Sequence, residues 1–108
     1  MQRRSEHDCT EWRVSKDKQV AKCLKNHRSV RGLDKKYKGF IKDVTEAGSA
    51  DPVRFTDEPI IGVRTRDGHQ TYSVYMTADL RLKCSIDYDR CVVTIWVVGD
   101  HKEVYGKD

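Results

Sequence analysis

Hydrophobic and polar positions along this chain change period between its two halves, dividing it into a helical half and a strand half. In the first half Val20, Cys23, Leu24 and His27 recur at i, i+3, i+4 and i+7, with Lys16, Lys18, Lys22 and Lys25 largely outside that stripe. The spacing predicts a helix capped by Ser15, with Asp17 in its first turn, running to about Asn26. Leu33, Tyr37, Phe40, Ile41 and Val44 repeat the same period; Gly48 is placed to stop this second helix and Gly32 to form the joint between the two. Ahead of them, residues 11–14 with Trp12 read as a short strand, and the polar, patternless residues 1–10 read as a flexible tail.

Residues 48–60 hold both prolines and predict an irregular connection of a length that often carries function. A short strand over 61–65 then precedes the Asp67-Gly68 turn, after which the period becomes two. Tyr72, Val74 and Met76 alternate with Ser73, Tyr75 and Thr77, and Leu80, Leu82, Cys84 and Ile86 alternate with Arg81, Lys83, Ser85 and Asp87. A three-residue turn at 77–79 pairs Met76 with Leu80 and Val74 with Leu82 on the core side, which stands Tyr75 beside Arg81. Residues 91–98 are almost wholly apolar, as expected of a strand covered on both faces. The helices cover only one face, so chain ends or a partner are expected on the other. The fold class that follows is α+β: an N-terminal strand and a helical hairpin packed on an antiparallel meander, β-α-α-β-β-β, with residues 11–108 as one domain.

Charge sharpens the picture. The net charge is +4, but residues 16–42 carry ten Lys or Arg against Asp17 and Asp34, a local balance of +8, while residues 43–108 balance to −4. A basic block on a small domain attracts polyanions and is a footprint of nucleic-acid binding; on its own it is equally a solvated helical face. No stretch approaches the roughly 20 apolar residues of a membrane span, and no apolar region follows Arg3-Arg4, so a cytoplasmic location without membrane contact is expected. Cys9, Cys23, Cys84 and Cys91 show neither a C-x-x-C pair nor metal-finger spacing, which predicts no metal site and reduced thiols; Cys84 and Cys91 flank a turn and can face each other across a hairpin.

The strand half also carries chemistry. Cleaving RNA without a metal needs a base for the ribose 2′-OH, a cation for the phosphorane, and an acid for the 5′-oxygen. Arg81 points away from the apolar face and is open to a bidentate phosphate contact. His101 follows the last strand and has the side chain suited to proton transfer near neutrality. Tyr105 can orient a phosphate, assist protonation or stack on a base, and Glu58 is a possible base in the loop. Lys35, Lys36 and Lys38 on the second helix, with Lys83 and Tyr75 near Arg81, are candidate RNA contacts. Trp96 can stack too, although its place in an apolar strand favours the core. Singly, each of these is an ordinary surface or core residue; the reading rests on their co-occurrence.

The segments YSVYMTADLRLKCSID and CVVTIWVVGDHKEVY resemble the RelE/ParE superfamily of toxins from bacterial toxin-antitoxin systems, in its pattern of a strand, a strand with an Arg-Leu pair, and a strand ending in Val-Gly, a basic or His residue and a terminal Tyr. Glu58-Pro59-Ile60, following Asp51-Pro52, is similar to the Glu-Pro-Leu loop of the YoeB branch. The resemblance spans roughly residues 12–105. It implies that Arg81 stabilises the phosphate, Glu58 is base, His101 acid and Tyr105 an aid at the C-terminal end. It further implies an mRNA endonuclease acting in the ribosomal A site without a cofactor, with ribosome and mRNA as partners and a cognate antitoxin, in a hetero-oligomer, that neutralises it. Ser73 and Tyr75 stand where the RelE branch has lysines, three residues separate His101 from Tyr105 where the YoeB branch has the pair adjacent, and the stretch between Glu58 and Tyr72 is longer. Two other functions fit the same fold: a ParE-like poison of DNA gyrase, and an inactive nucleic-acid or protein-binding module.

Overall fold

The computed structural model describes residues 8–52 and 58–105, the side chains of residues 58–63 and 105 excepted. It is an α+β fold. In chain order it runs β1 (Arg13–Lys16), α1 (Gln19–Asn26), α2 (Leu33–Thr45), β2 (Glu58–Arg64), β3 (Gln70–Tyr75), β4 (Arg81–Asp87), β5 (Val92–Gly99) and α3 (His101–Tyr105).

Both long helices form on the stripes that predicted them. Val20 is buried on α1, and Leu33, Tyr37, Phe40 and Val44 are buried on α2. Gly32 enters α2 at φ 88° and Gly48 follows it at φ 60°, backbone that a residue with a Cβ adopts only with strain. The start of α1 differs from expectation. Ser15 lies inside β1 and cannot cap; instead the Asp17 carbonyl accepts from Val20 N at 3.0 Å and its carboxylate from Gln19 N at 3.3 Å.

The sheet has five strands in the order β1-β5-β4-β3-β2. β2 to β5 form an antiparallel meander of four strands where three were expected, because the segment before the Asp67-Gly68 turn pairs with β3 as a full strand, and β1 adds a parallel pairing, Arg13 to Val92 through Lys16 to Ile95, that makes the sheet mixed. β2 begins earlier than expected, at Glu58. It takes in Pro59 because it is an edge strand, where a missing N–H leaves no ladder bond unmade, and its pairing with β3 is irregular between Pro59 and Arg64. The β3–β4 register is as expected: Val74 opposes Leu82 and Tyr75 opposes Arg81. The core lies between helices and sheet, joining the α1 and α2 residues to Val74, Leu82, Cys84, Ile86, Val93, Ile95 and Val98.

Two expectations about the chain's start and its thiols are corrected. Cys9 is 2% exposed and bonded to Cys91 across 82 residues, with Cα atoms 5.6 Å apart. Residues 8–10 are therefore tied to the β4–β5 turn; residues 1–7 of the expected tail lie outside the described residues. Trp12 secures the same strap, donating from Nε1 to the Gly48 carbonyl at 3.0 Å and meeting Tyr88 edge-on at 5.7 Å. Cys84 is buried opposite Ile95, not across from Cys91, because the ladder closes at the Asp87–Val92 pair and leaves Cys91 in the turn before it. Among the described residues no helix is long and apolar enough to cross a membrane.

Candidate functional site

Period two sends the odd residues of β3 and β4 to the face opposite the core. Across β3, β4 and β5 the register sets three rows there: Tyr75, Arg81, Gly99; Ser73, Lys83, Val97; and Thr71, Ser85, Thr94. β5 breaks the alternation. Lys83 opposes Val97 but Cys84 opposes Ile95, so Trp96 is the extra residue of a β-bulge. The bulge resets the pleat, keeping Val93, Ile95 and Val98 in the core while Trp96 and Val97 are both half-buried. This corrects the reading of Trp96 as a core residue. Its indole is fixed on the open face, with Nε1 donating to Ser85 Oγ at 2.9 Å.

Arg81 opens β4 on that face, and its Nε donates to Ser73 Oγ in a short hydrogen bond. Ser73 is fully buried, so its hydroxyl is a fixed anchor, and among the described residues nothing else takes the remaining N–H groups of half-buried Arg81. Glu58 opposes Ser73 from the other side. Glu58 thus extends the row of Ser73, Lys83 and Val97, next to the row that holds Arg81 and with β3 between their strands, while the Glu58 side chain lies outside the described residues.

Tyr75, 51% exposed, joins two surfaces. It opposes Arg81 in the register, and its ring takes Lys36 Nζ at 5.5 Å from the centroid, a cation–π distance. Lys35 and Lys36 line a cleft with Tyr75 between α2 and β3. Lys38, on the same helix, is exposed and paired with Asp34 at 3.2 Å. The structure therefore brings Arg81, Lys83 and Tyr75 together, connects Lys35 and Lys36 to them through Tyr75, and leaves Lys38 outside the cluster.

The chain after Gly99 is not the plain strand end that the sequence suggested. Asp100 and Glu103 form a capping box, Asp100 N donating to Glu103 Oε1 at 2.8 Å and Glu103 N to Asp100 Oδ1 at 2.9 Å, and it starts α3. Glu103 also reaches His27 Nε2 at 3.5 Å, fixing α3 against the end of α1. His101, exposed, is the first residue of α3, two positions past the Gly99 that opposes Arg81. Tyr105 ends α3, its side chain outside the described residues.

Two adjoining clefts of about 490 and 450 Å³ occupy the open face, where the turn at residues 65–69 stands over β4 and β5; they share Thr65, Asp67 and Trp96. They bring in Arg64, Arg66, Arg13 and Arg90, which the sequence reading left aside because cations scattered over three elements show no local cluster. His69 Nε2 lies 3.9 Å from Asp87 Oδ1 in the same space, both side chains partly exposed. Asp87 also accepts from the backbone N–H groups of Asp89 and Arg90 at 2.9 and 3.1 Å. Part of the cover of β5 on this face thus comes from the chain's own turn at residues 65–69, where chain ends or a partner were expected.

A scan against models of known protein families finds no match, and no curated protein matches the chain in sequence.

Proposed function

We propose that this protein is a metal-independent endoribonuclease of the RelE/ParE toxin type, cleaving mRNA in the ribosomal A site and neutralised by a cognate antitoxin. The observation that carries the reading is the Arg81 guanidinium anchored on buried Ser73 with Glu58 opposite that serine, a preorganised cation facing away from the core. In the reaction Glu58 takes the proton from a ribose 2′-OH and the 2′-oxygen bonds to the adjacent phosphorus. Arg81 holds the charge on the phosphorane, the bond to the 5′-oxygen breaks, and His101 supplies that oxygen's proton. A 2′,3′-cyclic phosphate and a free 5′-hydroxyl result. Tyr105 assists at the C-terminal end, and Tyr75, Lys83, Lys35, Lys36 and Lys38 hold the RNA and its ribosomal surroundings by charge and stacking.

The test is to add the purified protein to a defined translation reaction and map mRNA ends at nucleotide resolution, with and without ribosomes. Cuts confined to translating ribosomes, and lost in Arg81→Ala and His101→Gln variants that melt like the parent, are the expected result. Intact mRNA from folded, antitoxin-free protein overturns the reading and moves the gyrase poison or an inactive binding module to the front.

A further inference from the structure

We infer that the groove between the open sheet face and the turn at residues 65–69 binds single-stranded RNA, one base stacking on Trp96 and neighbouring phosphates meeting Arg64, Arg66 and Lys83. The choice of RNA as ligand rests on the nuclease reading above; the groove itself stands on three observations.

The first is the bulge. It spends a ladder position to turn Trp96 out of the core, and the Ser85 hydroxyl satisfies the only polar atom of the indole, so a half-buried flat ring is held in one orientation. A fixed indole with its nitrogen already bonded has its π-face left to offer, and every base has a π-face to match.

The second is charge. The two adjoining clefts are lined by five cationic side chains and two acidic ones, and one of those acids, Asp87, is engaged with backbone amides and His69. Arg64 is itself steadied, donating to the Gly68 carbonyl at 2.9 Å. Cations on both walls of a groove with an aromatic floor suit a backbone of phosphates carrying bases; an acidic peptide would match the charge but leave the indole without use.

The third is continuity. Lys83 follows Arg81 on the same face of β4, about 7 Å along the strand. Trp96 and Val97 lie beside Lys83 in the same cleft. A strand whose scissile phosphate sits at Arg81 therefore runs directly into the groove, and the groove selects for unpaired RNA because a base already stacked in a duplex cannot reach Trp96.

The probe is a fluorophore-labelled 2′-O-methyl oligoribonucleotide, which cannot be cleaved and so separates binding from chemistry. Binding is read by anisotropy and by quenching of tryptophan emission, in which half-exposed Trp96 responds and buried Trp12 does not. Trp96→Ala is expected to weaken binding about tenfold, with Trp96→Phe recovering most of the loss. Arg64→Ala with Arg66→Ala is expected to flatten the dependence of log Kd on log salt by about 0.7 for each phosphate that the variant no longer neutralises. Parent-like affinity in Trp96→Ala together with a parent-like salt slope in the paired Arg variant, or equal competition by polyglutamate of the same charge, overturns the inference. If Trp96→Ala fails to fold, Trp96→Leu, which fills space but offers no π-face, and the paired Arg variant carry the same test. Cleavage mapped in parallel separates the two proposals: parent-like RNA binding by the variants of an active nuclease sinks the groove alone. Trp96-dependent RNA binding by a protein that cuts nothing sinks the nuclease and supports the groove.

Discussion

Arg81 Nε donates to the hydroxyl of Ser73, its diagonal neighbour across the β3–β4 ladder, and Ser73 is fully buried. A buried acceptor orients a guanidinium better than water does, because it does not move as charge develops on a substrate. Ser73→Ala is expected to cost stability only about 1 kcal/mol, since half-buried Arg81 can turn to solvent. On the proposed nuclease reading, cleavage in single turnover is expected to fall about tenfold or more, most of it in the rate of the chemical step. Parent-like cleavage by a folded Ser73→Ala variant would detach Ser73 from the positioning role.

The Cys9–Cys91 bond ties the segment before β1 to the turn between β4 and β5, closing most of the chain into one loop. Cross-links over loops of this length restrict the unfolded ensemble by an amount worth about 4–5 kcal/mol. Reduction, or Cys9→Ser with Cys91→Ser, is expected to lower the melting temperature by about 10 °C or more. The free thiol of Cys23 on α1 is the internal comparison, because Cys23→Ser leaves the strap intact. A reduced protein melting with the oxidised one would show that the strap contributes nothing in solution.

What the sequence revealed and what it hid divide by the range of the interaction. The opposition of Tyr75 and Arg81 was legible because a three-residue turn and an unbroken period of two leave one register that buries Val74 with Leu82. The parallel seat of β1 on β5 was not, since four residues of strand carry no mark of their partner. The Cys9–Cys91 pairing joins residues 82 apart, and no local pattern favoured it over Cys84 with Cys91. Trp96 was hidden by its own setting: an apolar run reads as buried on both faces, and a bulge inside it has no signature residue. The capping box of Asp100 and Glu103 was in plain sight as D-x-x-E, masked by the expectation that β5 simply ended. Of the site, Arg81, Lys83 and Tyr75 were readable from alternation, while Arg64, Arg66, Arg13 and Arg90 converge only through the fold.

Gly99 and Glu103 are locked by shape as well as sequence. A Cβ built on Gly99 would run into the Glu103 carboxylate and stand 2.9 Å from Glu103 Cβ. Gly99→Ala therefore forces Glu103 out of the box and away from His27, at an expected cost of about 1–3 kcal/mol. Glu103→Ala alone gives up the box for about 1 kcal/mol. The two effects are expected to fall short of adding in the double variant, because the second change removes the clashing carboxylate, and only the neighbouring Cβ keeps the relief from being complete. Urea melts of the four proteins measure the coupling; strict additivity would mean that α3 does not depend on this close approach.

The Tyr37 hydroxyl is buried and has no hydrogen-bond partner among the described residues, with Lys16 Nζ 5.8 Å from the ring centroid. Burial raises the phenol's pKa above its ordinary 10.0, since the phenolate is the form that loses most by leaving water. With the folded pKa above the unfolded one, the neutral phenol's contribution is complete below about pH 10 and is lost as pH climbs through the folded value. Tyr37→Phe removes an unsatisfied group while keeping the ring against Phe40 and its neighbours in the core. The variant is expected to match or exceed the parent by up to about 1 kcal/mol at neutral pH, and to lose less stability than the parent on going to about pH 11. Urea melts at the two pH values decide it: a variant more than about 1 kcal/mol weaker at neutrality would mean that the hydroxyl bonds to something, such as a buried water, that the fold needs.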